Sequence, residues 1–282
     1  MSARTANRRP SYDAARACAE LAAADPRLGE LIARSGPFTM RLASAQSPFE
    51  ALVESIVYQQ LHGKAAATIH RRLLEGFRSE ADQSKGHPTP QQLLDAPNEQ
   101  LRAAGLSANK SLALRDLAAK TLDGTVPTLA RIRRMSDDAI IEHLTQVRGV
   151  GRWTVEMMLI FRLGRTDVLP VLDYGVRKGF ALTFMGLKPT TKVTPELLPK
   201  PDVMHRRAAR WAPWRSIASW YLWRACDLAA GRIPNTATDA AADKKPAAKL
   251  RRASTKTEAG RANATARSVK ATAKPAKPKV KS

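Results

Sequence analysis

Residues 144–155 read Leu144-Thr-Gln-Val-Arg-Gly-Val-Gly-Arg-Trp-Thr-Val155, and this stretch is the most informative part of the sequence. Apolar residues at helical spacing precede it, which predicts one helix from about Asp137 to Gln146 and a second from near Arg152. The two glycines between them let the backbone turn tightly, and free amides at the start of the second helix can bind a phosphate. The residues predicted to hold that phosphate are Arg148, Gly149, Val150, Gly151 and Arg152. The motif, two helices joined by a hairpin over about residues 137–163, has one alternative, a plain helix connection ending on a glycine.

The chain carries a strong excess of positive charge. Its 282 residues include 47 Lys and Arg against 25 Asp and Glu, a formal net charge of +22. Such a balance favours a polyanionic partner, most commonly nucleic acid, although an acidic protein or a membrane surface also fits. Together with the hairpin, the charge indicates a DNA backbone as the ligand.

No segment indicates a membrane or secreted protein. No apolar run approaches the roughly 20 residues that span a bilayer, and no apolar stretch follows the arginines near the N-terminus. The two cysteines, Cys18 and Cys226, indicate a reducing compartment rather than a disulfide framework. We therefore expect a cytoplasmic protein, associated with the nucleoid if its source is bacterial.

Composition divides the chain into three parts. Residues 1–10 are predicted to be disordered, and residues 11–234 to form a helical domain. Residues 235–282 contain 13 Lys or Arg, 3 Asp or Glu and no aromatic residue, so too little can be buried to order them, and a disordered basic tail is predicted. Such a tail favours nonspecific attraction to DNA, and a solvated tail without a specific role is the alternative.

The body of the chain has helical patterning almost throughout. Apolar residues recur three and four positions apart within 49–56, 112–117 and 140–144, whereas alternating β-branched runs are nearly absent. Ser47 and Ser136 each precede such a segment as a helix N-cap, and Glu50 forms a capping box with Ser47. The predicted fold class is all-α, with two helical lobes.

One carboxylate stands out downstream of the hairpin. Asp173 follows Trp153 by 20 residues and lies just after Pro170, where an extended segment ends and a new helix is expected to begin. An aspartate in that position is most often a helix N-cap. The residues alone do not separate that role from a catalytic one.

Taken together, these motifs resemble the helix-hairpin-helix (HhH-GPD) superfamily of DNA glycosylases, and within it the DNA-3-methyladenine glycosylase II group. The hairpin, Pro170 and Asp173 fall in the family's register, and the resemblance covers about residues 40–230. Further stretches that match in order are 55–66, 101–110 and 211–223. Because only about 40 residues precede the match, the resemblance is to the compact form of the family, without an N-terminal β-rich domain.

The resemblance implies a reaction and the residues that perform it. Family members that also cleave the strand carry a lysine where this chain has Trp153, so hydrolysis of the N-glycosyl bond without lyase activity is implied. Asp173 would lie beside the sugar, where a carboxylate stabilises the positive charge that develops as a cationic alkylated purine leaves. The implied base-pocket residues are Trp153, Trp223, Met157 and Tyr58. Met157 stands where the best-known bacterial relative has an aromatic residue, which leaves the substrate breadth open.

The resemblance also implies how a duplex is opened and held. A side chain must fill the gap left by a flipped nucleotide, and the candidates, in order of preference, are His62, Leu61 and Gln60. The alternative is that Gln59 and Gln60 satisfy backbone groups between helices while His62 is a surface residue. The residues that would bind the flanking phosphates are Lys64, Arg177 and Lys178. The alternative is that each of them is a solvated surface charge.

The implied partner is double-stranded DNA containing alkylated bases, bound by a monomer in base excision repair. Two cysteines cannot supply the four thiolates of an iron–sulfur cluster, so neither a cofactor nor a metal is expected. Whether the hairpin holds a monovalent cation is left open. Two other functions also remain: a noncatalytic helix-hairpin-helix DNA-binding protein, and a glycosylase for a deaminated or oxidised base.

Overall fold

The computed structural model describes residues 10–43, 47–78 and 86–234. The α-helices in these ranges are α1 (Ala14–Ala24), α2 (Pro26–Ser35), α3 (Pro48–Tyr58), α4 (Gly63–Gly76), α5 (Pro90–Asp95), α6 (Asn98–Ala103), α7 (Ala108–Leu122), α8 (Leu129–Ile132), α9 (Asp137–Leu144), α10 (Arg152–Met158), α11 (Tyr174–Phe184), α12 (Pro201–Ala208) and α13 (Arg215–Ala229). A π-helical turn, Leu159–Leu163, continues α10, and short 3-10 turns occupy Pro195–Leu197 and Ala209–Trp211.

The predicted all-α class is confirmed, since no β-strand occurs in the three described ranges. None of the helices there is long and apolar enough to cross a membrane. The disorder predicted for residues 1–10 and 235–282 lies, apart from Pro10, outside the described residues.

Two hydrophobic cores give the molecule its two lobes. The first core is built by α3 to α10 and the segments that join them, and the second by α1, α2 and α11 to α13. The second lobe therefore combines the first and last helices of the described chain. Phe38, Trp220 and Trp223 are partly buried against both cores, so α13 contributes to the boundary between the lobes.

Local sequence signals account for the helix starts. The Ser47 hydroxyl accepts a hydrogen bond from the Glu50 amide at 3.1 Å, which confirms the predicted cap, although the reciprocal bond of a full capping box is not formed. Ser136 caps α9 through the Ala139 amide at 3.3 Å. The apolar period predicted for α7 is wrong at Leu112, which is 48% exposed, because the buried face of that helix passes through other positions.

The contact between α11 and α13 depends on an unusually close backbone approach. A Cβ atom added at Gly179 would lie 1.9 Å from the carbonyl oxygen of Leu222, a distance that no side chain can occupy. Gly179 therefore lets the two helices of the second lobe pack backbone against backbone.

A buried ion pair anchors the junction between α1 and α2. Arg207 donates from Nε and Nη2 to the two oxygens of Asp25 at 2.8 and 2.7 Å, and Trp211 donates from its indole at 3.1 Å. Burial alone raises the pKa of Asp25, but the hydrogen bonds and charge of Arg207 outweigh it and leave the pKa below its usual value. The pair joins the N-terminal helices to α12.

We expect Gly179→Ala to lower the free energy of unfolding by at least about 3 kcal/mol, because the new methyl group meets backbone that cannot move aside. Chemical denaturation measures the change. Gly76→Ala at the end of α4 is the matched control, since its Cβ would meet only the Gln100 side chain at 3.9 Å. Equal stability of the two variants would contradict the packing described for α11 and α13.

We expect Asp25→Asn to lower the free energy of unfolding by about 2–4 kcal/mol at pH 7. Because folding lowers the pKa of Asp25, its ionised form stabilises the fold above the unfolded value near 4, and that contribution disappears as the pH falls further. The difference between wild type and variant should therefore narrow below about pH 4. Asp202→Asn, which breaks an exposed ion pair with Arg206 on α12, is the control and should change little.

Candidate active site

Asp173 stands at the start of α11 and caps that helix. One carboxylate oxygen, Oδ1, accepts a hydrogen bond from the Val176 amide at 2.8 Å. Asp173 therefore does fill the N-cap role that is the alternative to a catalytic one. That role engages only one of the two oxygens and does not by itself explain the groups that surround the other.

Two tryptophans from distant segments converge on the same carboxylate. Trp223 donates its indole N–H to Oδ1 of Asp173, and Trp153 donates its own to Oδ2, both at 2.8 Å. The carboxyl group thus receives three N–H donors, one of them from the backbone, and their directions fix its orientation. Three residues that the sequence singled out are brought into direct contact.

Several large apolar side chains around Asp173 are exposed to solvent. Trp153 is 47% exposed, and the two neighbours of the aspartate, Leu172 and Tyr174, are 61% and 57% exposed. A cluster of large exposed apolar side chains beside a carboxylate is typical of a binding surface. Leu172 and Tyr174 were not predicted from the sequence as site residues, although two large apolar residues flanking a helix cap were a usable signal.

The ring of Trp223 is held from the side of the first lobe. Phe161, in the π-helical turn, packs against it with ring centroids 5.4 Å apart and an interplanar angle of 33°. Phe161 lies four positions beyond Met157, so an aromatic ring does adjoin Trp223 although position 157 itself is not aromatic. Met157 and Tyr58 are half-buried against the first core, and Tyr58 packs edge-on to His70 at 6.0 Å.

A second acid lies close to Asp173. Glu156 on α10 is only 3% exposed, and its carboxylate accepts a hydrogen bond from Nε of Arg152 at 2.9 Å. Burial raises the pKa of Glu156, the nearby charge of Asp173 raises it further, and Arg152 opposes both effects. The sequence analysis did not identify this residue, because a single Glu in an apolar helix carries no local signal of burial.

The hairpin has the predicted geometry. Gly149 adopts φ +76°, a left-handed conformation that favours glycine, whereas Gly151 has φ −98° and serves as the N-cap of α10. Nothing lies within 4 Å of the position that a Cβ of Gly151 would take. The Thr154 amide bonds the Gly151 carbonyl at 3.0 Å, so the amides of Arg152 and Trp153 precede the hydrogen-bond ladder of the helix.

The hairpin is braced from α3 and α7. Asp116 accepts a hydrogen bond from the Arg148 amide at 2.7 Å, and Gln59 donates to the Gly149 carbonyl at 2.8 Å. Lys120 bonds both Asp116 and the Gln146 carbonyl. Burial raises the pKa of Asp116, but the bonds from Lys120 and the Arg148 amide outweigh it and lower the pKa. Asp116 and Lys120 were not identified from the sequence, because they lie 32 and 26 positions away from the hairpin groups that they hold.

The segment that joins α3 to α4 is strained at its centre. Gln60 has φ +56°, and among the described residues it is the non-glycine residue with a positive φ. Its side chain is exposed. Leu61 and His62, which precedes α4 as its N-cap residue, are exposed as well. Gln59 satisfies a backbone group and His62 is a surface residue, as the alternative held, and Gln60 and Leu61 are exposed as well. Exposure of these three side chains is compatible with both interpretations.

The predicted phosphate-binding cations have different surroundings. Arg148 and Lys64 are exposed, whereas Arg152 is paired with Glu156 and lies 3.8 Å from Asp138. Arg177 donates to the Pro199 carbonyl at 3.1 Å, and Lys178 is half-buried on α11. In the described ranges no group of three or more His, Cys, Asp or Glu side chains is arranged to hold a metal ion.

Known proteins are similar to this chain in sequence and in fold. Residues 53–201 match the family described as HhH-GPD superfamily base excision DNA repair protein. DNA-3-methyladenine glycosylase 1 of Schizosaccharomyces pombe is 37% identical over 203 residues, which are 72% of this chain and 82% of that relative.

Two solved structures extend the comparison. The S. pombe 3-methyladenine DNA glycosylase in complex with abasic DNA is 35% identical, with a TM-score of 0.56 over 74% of this chain and 95% of that one. A DNA-3-methyladenine glycosidase from Bacillus halodurans is 30% identical, with a TM-score of 0.64 over 76% and 91%. The chain described here belongs to the HhH-GPD superfamily of base excision DNA repair proteins.

Proposed function

We propose that this protein is a monofunctional DNA N-glycosylase that hydrolyses the N-glycosyl bond of alkylated purines of the 3-methyladenine and 7-methylguanine type. The observation that carries the proposal is the carboxyl group of Asp173, held by the indoles of Trp153 and Trp223 beside the hairpin. The names of the similar proteins, which are 3-methyladenine glycosylases, support the substrate class.

The chemistry follows from the charge of the substrate. A purine alkylated at N3 or N7 is a cation and leaves readily, so the difficult charge is the one that develops on the sugar. The carboxylate of Asp173 stabilises that oxocarbenium-like state and orients or deprotonates the attacking water. The three N–H donors keep its oxygens in place, so little reorganisation is needed as the bond breaks.

The exposed aromatic surface suits a cationic base. Trp153 uses its indole N–H on Asp173, which leaves a face of its ring, nearly half exposed, for stacking. Tyr174 is exposed next to the carboxylate and offers a second aromatic surface. Cation–π contact with such rings contributes up to about 2 kcal/mol once water is excluded.

The base must leave the duplex before it reaches this surface. Gln60, Leu61 and His62 form the exposed segment whose backbone is strained, and strain of this kind is common at functional sites. We assign the gap-filling role to this segment, with His62 as first choice. The amides of Arg152 and Trp153 and the exposed side chain of Arg148 would hold the DNA backbone at the hairpin.

The absence of lyase activity rests on Trp153. Strand-cleaving relatives of this fold use a lysine amine at that position, and an indole cannot form a Schiff base with the sugar. We also expect the protein to act as a monomer on double-stranded DNA, without a metal or organic cofactor, in the cytoplasm or at the nucleoid of a bacterial source.

We expect Asp173→Asn to slow release of methylated purines from alkylated DNA by about 100-fold to 1,000-fold in single-turnover assays. The loss arises because a neutral amide cannot stabilise the developing positive charge. Asparagine is also a good N-cap, so the fold and the affinity for DNA should be retained. Asp202→Asn is the control and should release bases at the wild-type rate. Full activity of the Asp173 variant would refute the catalytic assignment.

A panel of lesions tests the substrate class with the wild-type protein. We expect release of 3-methyladenine and 7-methylguanine to exceed release of uracil and 8-oxoguanine under equal conditions. Tight DNA binding without release of any base would instead support the noncatalytic DNA-binding function. A preference for uracil or 8-oxoguanine would support a glycosylase for deaminated or oxidised bases.

Borohydride reduction tests the expected lack of lyase chemistry. Incubating the protein with alkylated DNA in the presence of borohydride should give no covalent protein–DNA adduct, because position 153 carries an indole instead of an amine. Denaturing gel electrophoresis detects such an adduct, and a strand-cleaving glycosylase with its own substrate serves as the positive control. A trapped band with this protein would overturn the monofunctional assignment.

A further inference from the structure

Two glycines of α11 face α13, and they meet different parts of it. A Cβ added at Gly179 would clash with the Leu222 backbone at 1.9 Å. A Cβ added at Gly175, one turn earlier, would lie 2.6 Å from Cδ1 and 2.9 Å from Nε1 of Trp223, and 3.2 Å from Oδ1 of Asp173. Gly179 therefore adjoins backbone, whereas Gly175 adjoins the indole and the carboxylate of the candidate active site.

The indole of Trp223 occupies the space that a side chain at position 175 would take. Real Cβ atoms essentially never approach other atoms as closely as 2.6 Å, so any side chain there must displace the ring. Phe161 packs against the same ring at 5.4 Å and resists its retreat. The hydrogen bond from Nε1 to Asp173 thus exists because residue 175 has no side chain.

The backbone on both sides of this slot is fixed. Cys226, one turn after Trp223 on α13, donates from Sγ to the Gly175 carbonyl at 3.3 Å. Four residues further along α11, the Gly179 contact holds the two helices together. Because these two contacts oppose separation of the helices, we expect the indole, and not the backbone, to shift when a side chain is added at position 175.

We propose that Gly175 is a positioning residue: by lacking a side chain, it lets the Trp223 indole donate to Asp173 and so sets the orientation of the catalytic carboxylate. The inference rests on the proposed function for its effect on catalysis. Its structural part, the placement of the indole N–H, stands on the geometry alone.

A Cβ at position 175 also lies 3.2 Å from Oδ1 of Asp173, a contact that a shift of a few tenths of an ångström relieves, so we expect the other hydrogen bonds of the carboxyl group to be retained. Oδ1 keeps the Val176 amide and Oδ2 keeps the Trp153 indole, so the carboxyl group stays at the helix start but loses one of its three donors. The expected defect is therefore in the chemical step, with the grip of the hairpin on DNA unchanged.

The test compares Gly175→Ala, Trp223→Phe and the double variant in single-turnover release of methylated purines. Trp223→Phe keeps a ring but removes the indole donor. We expect each single variant to slow release about tenfold to 100-fold, with DNA affinity within about twofold of wild type. If both act by removing one hydrogen bond, the double variant should be no slower than Trp223→Phe alone. Gly76→Ala is the control and should match wild type.

A second readout does not depend on activity. In a protein labelled with ¹⁵N at the indoles, the signal of Trp223 is identified by its loss in Trp223→Phe. We expect Gly175→Ala to shift that signal strongly while the other indole signals, including that of Trp153, move little.

Each outcome decides the matter. The positioning role would be overturned by an unchanged Trp223 signal or by wild-type release from Gly175→Ala. It would also be overturned if the rate of the double variant fell by the product of the two single-variant losses. Failure of Gly175→Ala to fold would overturn it too, because the strain would then fall on backbone rather than on the indole. If the wild-type protein released no methylated base, the proposed function would fail, while the indole signal would still decide whether Gly175 places Trp223.

Discussion

The close approach of α11 and α13 is the constraint on which the rest of the site depends. Asp173 by itself is a helix N-cap, a role that many aspartates fill without any chemistry. It acquires a second set of partners because α13, some 50 positions later, comes near enough for Trp223 to reach the same carboxylate. That approach requires a side chain to be absent at Gly179 and Gly175, where α13 offers backbone and indole respectively. A small change in the packing of two helices therefore decides whether the carboxyl group is merely structural or also held for chemistry.

The site also lies where the two lobes meet, and α10 connects the hairpin to the Asp173 carboxylate. The first residues of α10 follow the hairpin glycines, and Trp153, the second of them, donates to Asp173 on the other lobe. A DNA backbone held at the hairpin would thus lie within a few residues of Trp153, which donates to the carboxylate proposed to act on the sugar. The hairpin turn is held by Asp116 of α7 and by Gln59 at the end of α3, and the Trp223 ring packs against Phe161, so contacts from neighbouring helical elements fix the geometry on both sides.

Local signals in the sequence predicted local structure well. The hairpin, the starts of α9 and α10 and the caps at Ser47 and Ser136 depend on residues within a few positions of one another, and all are present. What could not be predicted is contact between distant segments, such as Asp116 with Arg148 or Phe161 with Trp223. Leu112 shows the same limit, because helical spacing predicts that a helix has an apolar face but not how that face is turned toward its neighbours. The resemblance supplied Trp223 as a pocket residue, yet nothing in the chain indicated that Gly175 makes room for it.

Glu156 shows where this site departs from what stability alone favours. A buried carboxylate is costly unless it is paired, and here the pairing cation, Arg152, is itself half exposed, while the charge of Asp173 makes the cost larger. Glutamine would fill the same volume without that penalty, so folding does not explain the acid. Its presence has a consequence for the hairpin: the Nε of Arg152 is already engaged before any phosphate arrives. The donors left at this end of α10 are the other guanidinium N–H groups of Arg152, the first amides of the helix and the exposed Arg148. DNA binding at the hairpin, as proposed, would therefore depend more on backbone amides than the arginines of the sequence suggest.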